Sequence, residues 1–192
     1  LSFGCKELSS RGTVPSETNP DTQVELPQTD NATSEKQVES PYLKEYEARI
    51  EELRRNEMEK KTAIVHAIHE YTTHEMSQFL SIDDLETLHE NIESLAYGQA
   101  EPYKPIRSKP DNQIKSPSLR HYAWNIGERL DIPLIDRAKF IKTIFPHELE
   151  NATIEYLCKN LRDSVPAIIA IDVPKNGDYH FSCMQTSADS DN

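Results

Sequence analysis

Residues 118–162 read SLRHYAWNIGERLDIPLIDRAKFIKTIFPHELENATIEYLCKNLR, and the spacing of apolar residues in this run decides the fold of the second half of the chain. Leu119, Tyr122, Ala123, Ile126 and Leu130 recur at i, i+3, i+4, i+7 and i+11, one stripe of a helix that Ser118 is suited to cap. Asp131-Ile132-Pro133 turns the chain, with proline fit for the first helical position. Leu134, Ala138, Ile141 and Phe145 make the next stripe, stopped by Pro146. Asn151 can cap a third helix in which Ile154, Leu157, Cys158 and Leu161 face inward. After Pro166, Ala167 to Val173 is rich in β-branched residues and of strand length. Asn176-Gly177 is a hairpin signal, and Asp178 to Phe181 would be the return strand. Three helices closed by a hairpin is the element order of a winged helix-turn-helix.

Upstream, residues 99–117 place Pro102, Pro105, Pro110 and Pro117 among polar residues, together with Lys104, Arg107, Lys109 and Lys115. The composition predicts a Pro-rich basic linker. Before it, residues 41–98 form an acidic helical arm. Leu43, Tyr46, Ile50 and Leu53 repeat at three and four residues, and the same phase then meets Glu57 and Lys60. Two apolar heptads are fewer than a coiled coil needs. A second helix is expected to carry Ile64, Ala67, Ile68 and Tyr71 and to end near Leu80. Ser81 and Asp84 then open a further helix carrying Ile82, Leu85, Leu88, Ile92 and Leu95, which Gly98 stops. Two or three helices folded as a hairpin are predicted there. Residues 1–40 are mostly Ser, Thr, Glu, Gln, Asn and Pro, a composition that predicts disorder, as does the polar tail at 184–192. The predicted fold class is mainly α: a helical arm plus a compact three-helix unit, 118–183, closed by a β-hairpin.

Charge narrows the function classes. The 192 residues carry a formal net charge of −12, concentrated in the arm, where thirteen acidic residues face six basic ones over 41–100. Residues 118–171 hold seven of each sign. An acidic chain repels nucleic acid and anionic membrane at long range, so DNA is not favoured and no membrane partner is expected. Cys5, Cys158 and Cys183 are too few and too far apart for a disulfide framework or a paired-cysteine metal site, which points to reduced thiols and a cytoplasmic location. Leu1 to Cys5 matches the end of a lipoprotein signal only weakly, with no apolar core before it.

Candidate chemistry is sparse. His66, His69 and His74 share one helix with Glu70 and Glu75, but His69 and His74 lie about 140° apart around it, so a zincin arrangement does not form. Cys158 falls on an inward stripe, where a small buried thiol is expected rather than a nucleophile paired with His147. No glycine-rich phosphate loop occurs among the five glycines. No catalytic residue, cofactor or metal set is therefore expected, and the chain is not read as an enzyme. Trp124 lies off its helix's stripe, as a second packing contact or an exposed anchor for a partner.

The leading expectation is a non-enzymatic interaction or adaptor protein. Its arm pairs with a partner helix or a second copy through Leu43, Tyr46, Ile50 and Leu53. The alternative is a DNA-binding regulator. It would present Tyr156, Lys159 and Asn160 from the third helix of the unit, with Lys175 and Asn176 at the wing tip.

Overall fold

The computed structural model describes residues 40–99, 102–175 and 177–185. The predicted disorder of 1–40 and of the tail lies almost wholly outside them. Among the described residues there are six helices: α1 (Pro41–Met76), α2 (Ile82–Tyr97), α3 (Ser116–Arg129), α4 (Leu134–Ile144), α5 (Ile154–Asn160) and α6 (Ser182–Gln185). The chain is mainly helical, as its periodicity predicts.

The arm is a hairpin of two helices. α1 runs through Glu57 and Lys60 without a break, because Glu, Met, Lys and Arg between residues 51 and 61 are all strong helix formers. The chain reverses at 77–81. There Ser81 caps α2, its hydroxyl accepting from the Asp84 amide at 3.2 Å and donating to the Asp84 carboxylate at 2.6 Å. Gly98 ends α2 at φ 64°, a left-handed conformation that glycine adopts without strain.

α3, α4 and α5 carry the predicted stripes except at Leu134, which opens α4 and is exposed. Leu119, Tyr122, Ala123 and Ile126 are buried, as are Ala138, Ile141 and Phe145, then Leu157 and Leu161. Two caps differ from expectation. The α3 cap lies three residues earlier, at Lys115, with Pro117 in the first turn. Ser118 is thereby released to accept hydrogen bonds from the amides of Ile168 and Ile169 at 3.1 and 3.5 Å. Thr153, not Asn151, caps α5, accepting from the Tyr156 amide at 3.1 Å.

One hydrophobic core joins the arm to the second half. Ile68, Tyr71, Met76 and Phe79 pack in the same cluster as Leu88, Ile92, Tyr122, Ile126, Phe140 and Ile144. Each such side chain contributes about 1.5–3 kcal/mol on burial. The stretch expected to be a linker is a strap on this core. Ile106 and Ile114 are buried in it, and the Ile106 amide donates to Ile144 O and that of Lys109 to Phe79 O. Asn91 grips the Lys104 backbone on both sides at 2.8 Å, and Glu148 accepts from the Ser108 amide and hydroxyl. Pro102 and Pro105 lie in its extended part, Pro110 in a turn, and its backbone is satisfied by carbonyls of other segments together with the Asn91 and Glu148 side chains.

The predicted β-hairpin is absent: residues 167–175 and 177–181 contain no strand. The corner survives, with the Asp178 amide donating to Lys175 O and Gly177 at φ 76°, while Asn176 lies outside the described residues. The two flanks never pair because α3 takes their backbone groups. Asn125 donates to Ala170 O and accepts from the Asp172 amide, both at 2.8 Å. Arg129 donates to Asp172 O, Tyr179 O and His180 O at 3.1, 3.0 and 2.9 Å. His121 Nδ1 lies 2.9 Å from Ile169 O. Ser118, His121, Asn125 and Arg129 recur at i, i+3, i+7 and i+11, a polar row beside the apolar stripe. It stands in for the missing strand.

Candidate interaction surface

α1 divides into two parts. From Ile64 onward its stripe of Ile64, Ile68 and Tyr71 turns into the core. The same stripe continues toward the N-terminus as Leu43, Tyr46, Ile50 and Leu53. Within about 80° of helix surface these four residues line up in phase with the buried ones. There they are not covered: Leu43, Tyr46 and Leu53 are exposed, as is neighbouring Tyr42, and Ile50 is half-buried. α2 ends where this region begins, with Lys61 Nζ lying 5.3 Å from the centre of the Tyr97 ring. About 20 residues of α1, some 30 Å of helix, thus present an apolar row to solvent. Short helices without tertiary packing are marginal in water.

Beside it, on another face of α1, lies a groove of about 840 Å³. Met58, Ala63 and Ala67 floor it, and Tyr179 and His180 from the 172–185 segment form one wall. Those two rings stack at 4.4 Å, and His180 Nδ1 lies 2.7 Å from Asp178 Oδ1. Hydrogen bonds from the His180 amide and ring hold the Asp178 carboxyl below its ordinary pKa.

The segment that supplies this wall is clamped. Phe181 stacks on Tyr71 with centroids 3.8 Å apart and 3° between planes. The Arg129 guanidinium lies over the other side of Phe181 at 3.6 Å. Burial pulls the Arg129 pKa down, while the Asp172 carboxylate at 3.3 Å holds it up.

Comparisons with protein-family models, with curated proteins and with solved structures find no match for this chain.

The remaining candidates fall as follows. Trp124 is buried, 5% exposed, beneath the Arg162 guanidinium at 4.9 Å, so it packs and does not anchor a partner. Tyr156 and Lys159 are exposed on α5, but Asn160 is turned onto its own helix, donating to Tyr156 O at 2.7 Å. Lys175 is exposed on the turn, without wing strands behind it. The histidines of α1 diverge: His66 is exposed, 3.7 Å from Glu70, whereas His69 packs edge-on against His89 of α2 at 4.5 Å. Burial lowers the pKa of both rings of that pair. Cys158 packs against the core, and His147 accepts from Arg107 at 2.8 Å. His121 approaches Asp163 at 3.3 Å and is held on both ring nitrogens by oxygen atoms. Arg120 pairs with the same Asp163 and donates to Asn160 O, so these residues lock α3 to the end of α5.

Sequence reasoning missed this polar system. The signal available was the spacing of Ser118, His121, Asn125 and Arg129, which could have been read as a second, polar face seeking backbone partners.

Proposed function

We propose that this chain is a non-enzymatic interaction protein whose working surface is the uncovered half of α1, and that its occupant is the same surface of a second copy, antiparallel. One observation carries the reading: the stripe that α1 buries in the core runs on, exposed, through Leu53, Ile50, Tyr46 and Leu43.

An antiparallel match that sets Leu43 opposite Leu53 and Tyr46 opposite Ile50 brings every apolar residue of the row into contact. Its centre is Ala48. Lys44, Glu45 and Glu47 lie on one side, a net −1, and Arg49, Glu51, Glu52, Arg54 and Arg55 on the other, a net +1. Antiparallel pairing therefore sets Lys44 opposite Glu52 and Glu47 opposite Arg49, with Glu45 facing a like charge in Glu51, whereas a parallel in-register pair opposes every charge to its like. In this register each copy's core, which α1 enters from Ile64 onward, lies past Pro41 of the other copy's α1, so the two cores stay apart.

Two heptads bury little area, so association is weak and depends on concentration. Light scattering behind size exclusion tests the reading. The mass rises from one chain toward two as concentration increases, and Ile50→Glu returns it to one. A strict monomer at all concentrations, unchanged by Ile50→Glu, overturns self-association. The DNA-binding alternative draws no support from the geometry, since α5 has seven residues and no wing stands beside it.

A further inference from the structure

We infer that His74, Glu75 and Cys183 form a binding site for a divalent transition-metal ion of the Zn²⁺ class. His74 and Glu75 come from the last turn of α1 and Cys183 from α6, so donors remote in sequence are brought together. Their nitrogen, oxygen and sulfur atoms all lie within 4.8 Å of one another, and His74 Nε2 is 3.9 Å from Glu75 Oε1.

Packing on both sides sets this geometry. Tyr71, one turn before His74, stacks on Phe181, two residues before Cys183. The Asp172 carboxylate accepts from the Ser182 amide at 2.7 Å and from the Ser182 hydroxyl at 3.1 Å, fixing the first residue of α6. Metal–donor bonds of about 2.0–2.3 Å put tetrahedral donors about 3.3–3.8 Å apart. The three donors need to close by up to about 1.5 Å, within the reach of their side-chain rotamers.

The donor set decides the class of ion. Mixed imidazole, carboxylate and thiolate ligands suit Zn²⁺ and its neighbours, and disfavour Mg²⁺ and Ca²⁺, which take oxygen alone. Burial first, then the Glu75 and Asp172 carboxylates, push the Cys183 thiol up to about 11, and Glu75 accepts its hydrogen bond. On binding, the S–H bond breaks, the S–metal bond forms, and the proton leaves through Glu75 to water. The ion thus replaces a proton that sulfur and carboxylate already share. His74 is exposed, which gives an entry path and leaves the fourth position to water. Such an ion would tie the end of the 172–185 segment to α1, three residues beyond His180 of the groove wall. The site is independent of the self-association proposed above.

Co²⁺ is the probe, added to the full, tag-free, reduced chain and followed by absorption. One Co²⁺ per chain should give a near-ultraviolet thiolate-to-cobalt charge-transfer band and visible bands of a tetrahedral ion, with one equivalent of Zn²⁺ displacing it. Cys183→Ser abolishes the sulfur band while Cys158→Ser and Cys5→Ser retain it. His74→Ala and Glu75→Gln each weaken Co²⁺ at least tenfold with helical circular dichroism unchanged. Absence of a sulfur band, a band that survives Cys183→Ser, or affinity unmoved by His74→Ala overturns the proposal. If Cys183→Ser loses its helical signal, the exposed His74→Ala variant decides.

Discussion

Arg129→Met removes the centre of the clamp on the C-terminal segment while keeping most of the side chain's apolar stem. In the native protein the Arg129 side chain is fully buried and pairs with Asp172 at 3.3 Å. It donates to four backbone carbonyls, those of Asn125, Asp172, Tyr179 and His180, at 2.9–3.1 Å. Hydrogen bonds from a charged group are worth about 1.5–3 kcal/mol each, so four would sum to about 6–12 kcal/mol. That sum is too high, because the exposed backbone at His180 regains water once the guanidinium is gone. Removing one partner of a buried ion pair costs about 3–5 kcal/mol, and the loss is expected there. Against a total of about 5–15 kcal/mol for a native domain this is a large fraction. Urea unfolding measures the loss, and hydrogen exchange shows whether amides of 172–183 open before the helices do. A loss under about 1 kcal/mol, with those amides as protected as before, would refute the clamp.

Other consequences follow from single contacts. A Cβ at Gly127 would meet Arg137 Cδ at 2.3 Å and Cγ at 2.5 Å, in a side chain that also donates to Ile132 O. Gly127→Ala should therefore lower stability by about 1–3 kcal/mol in thermal or urea unfolding, despite alanine's better helix propensity. Tyr122→Phe strands the buried Thr72 hydroxyl, now 2.8 Å from the Tyr122 hydroxyl, at a cost of about 1–2 kcal/mol; Tyr122→Phe combined with Thr72→Val should recover part of it. His69 and His89 sit below the ordinary value of 6.5, burial being the main cause for each. The unfolded chain binds their protons more readily, so stability is complete above about pH 6.5 and falls as pH drops toward the folded values. His69→Gln with His89→Gln should flatten that acid slope by up to two protons' worth in urea titrations from pH 7.5 to 5. An unchanged slope would remove the pair as its cause.

The helices were legible because their cores are apolar at strict helical spacing. Leu119, Tyr122, Ile126 and Ile141 announce their burial, and Ser81 and Gly98 mark real ends. The C-terminal segment was misread because local composition cannot show who satisfies a backbone. Ile168, Ile169 and Ile171 have strand propensity, but the polar row on α3 takes the backbone groups of Ile168, Ile169, Ala170 and Asp172 before a second strand does. The 99–117 stretch was misread for a related reason: four prolines signal an extended chain, and an extended chain can equally pack as a strap when Ile106 and Ile114 anchor it. Cys183 and His74 could not be associated by spacing at all, since tertiary contacts such as the Tyr71–Phe181 stack and the Asp172–Ser182 hydrogen bonds bring them together. The exposed row on α1 was legible for the opposite reason: it depends on one helix alone.

The most direct test of the account is disulfide trapping along that row in chains whose Cys5, Cys158 and Cys183 are serine. Leu43→Cys chains mixed with Leu53→Cys chains should cross-link to each other under mild oxidation, while Leu43→Cys alone should not cross-link to itself. Self-trapping of Leu43→Cys, the mark of a parallel pair, or no trapping in the mixture at concentrations where the mass should double, would contradict it.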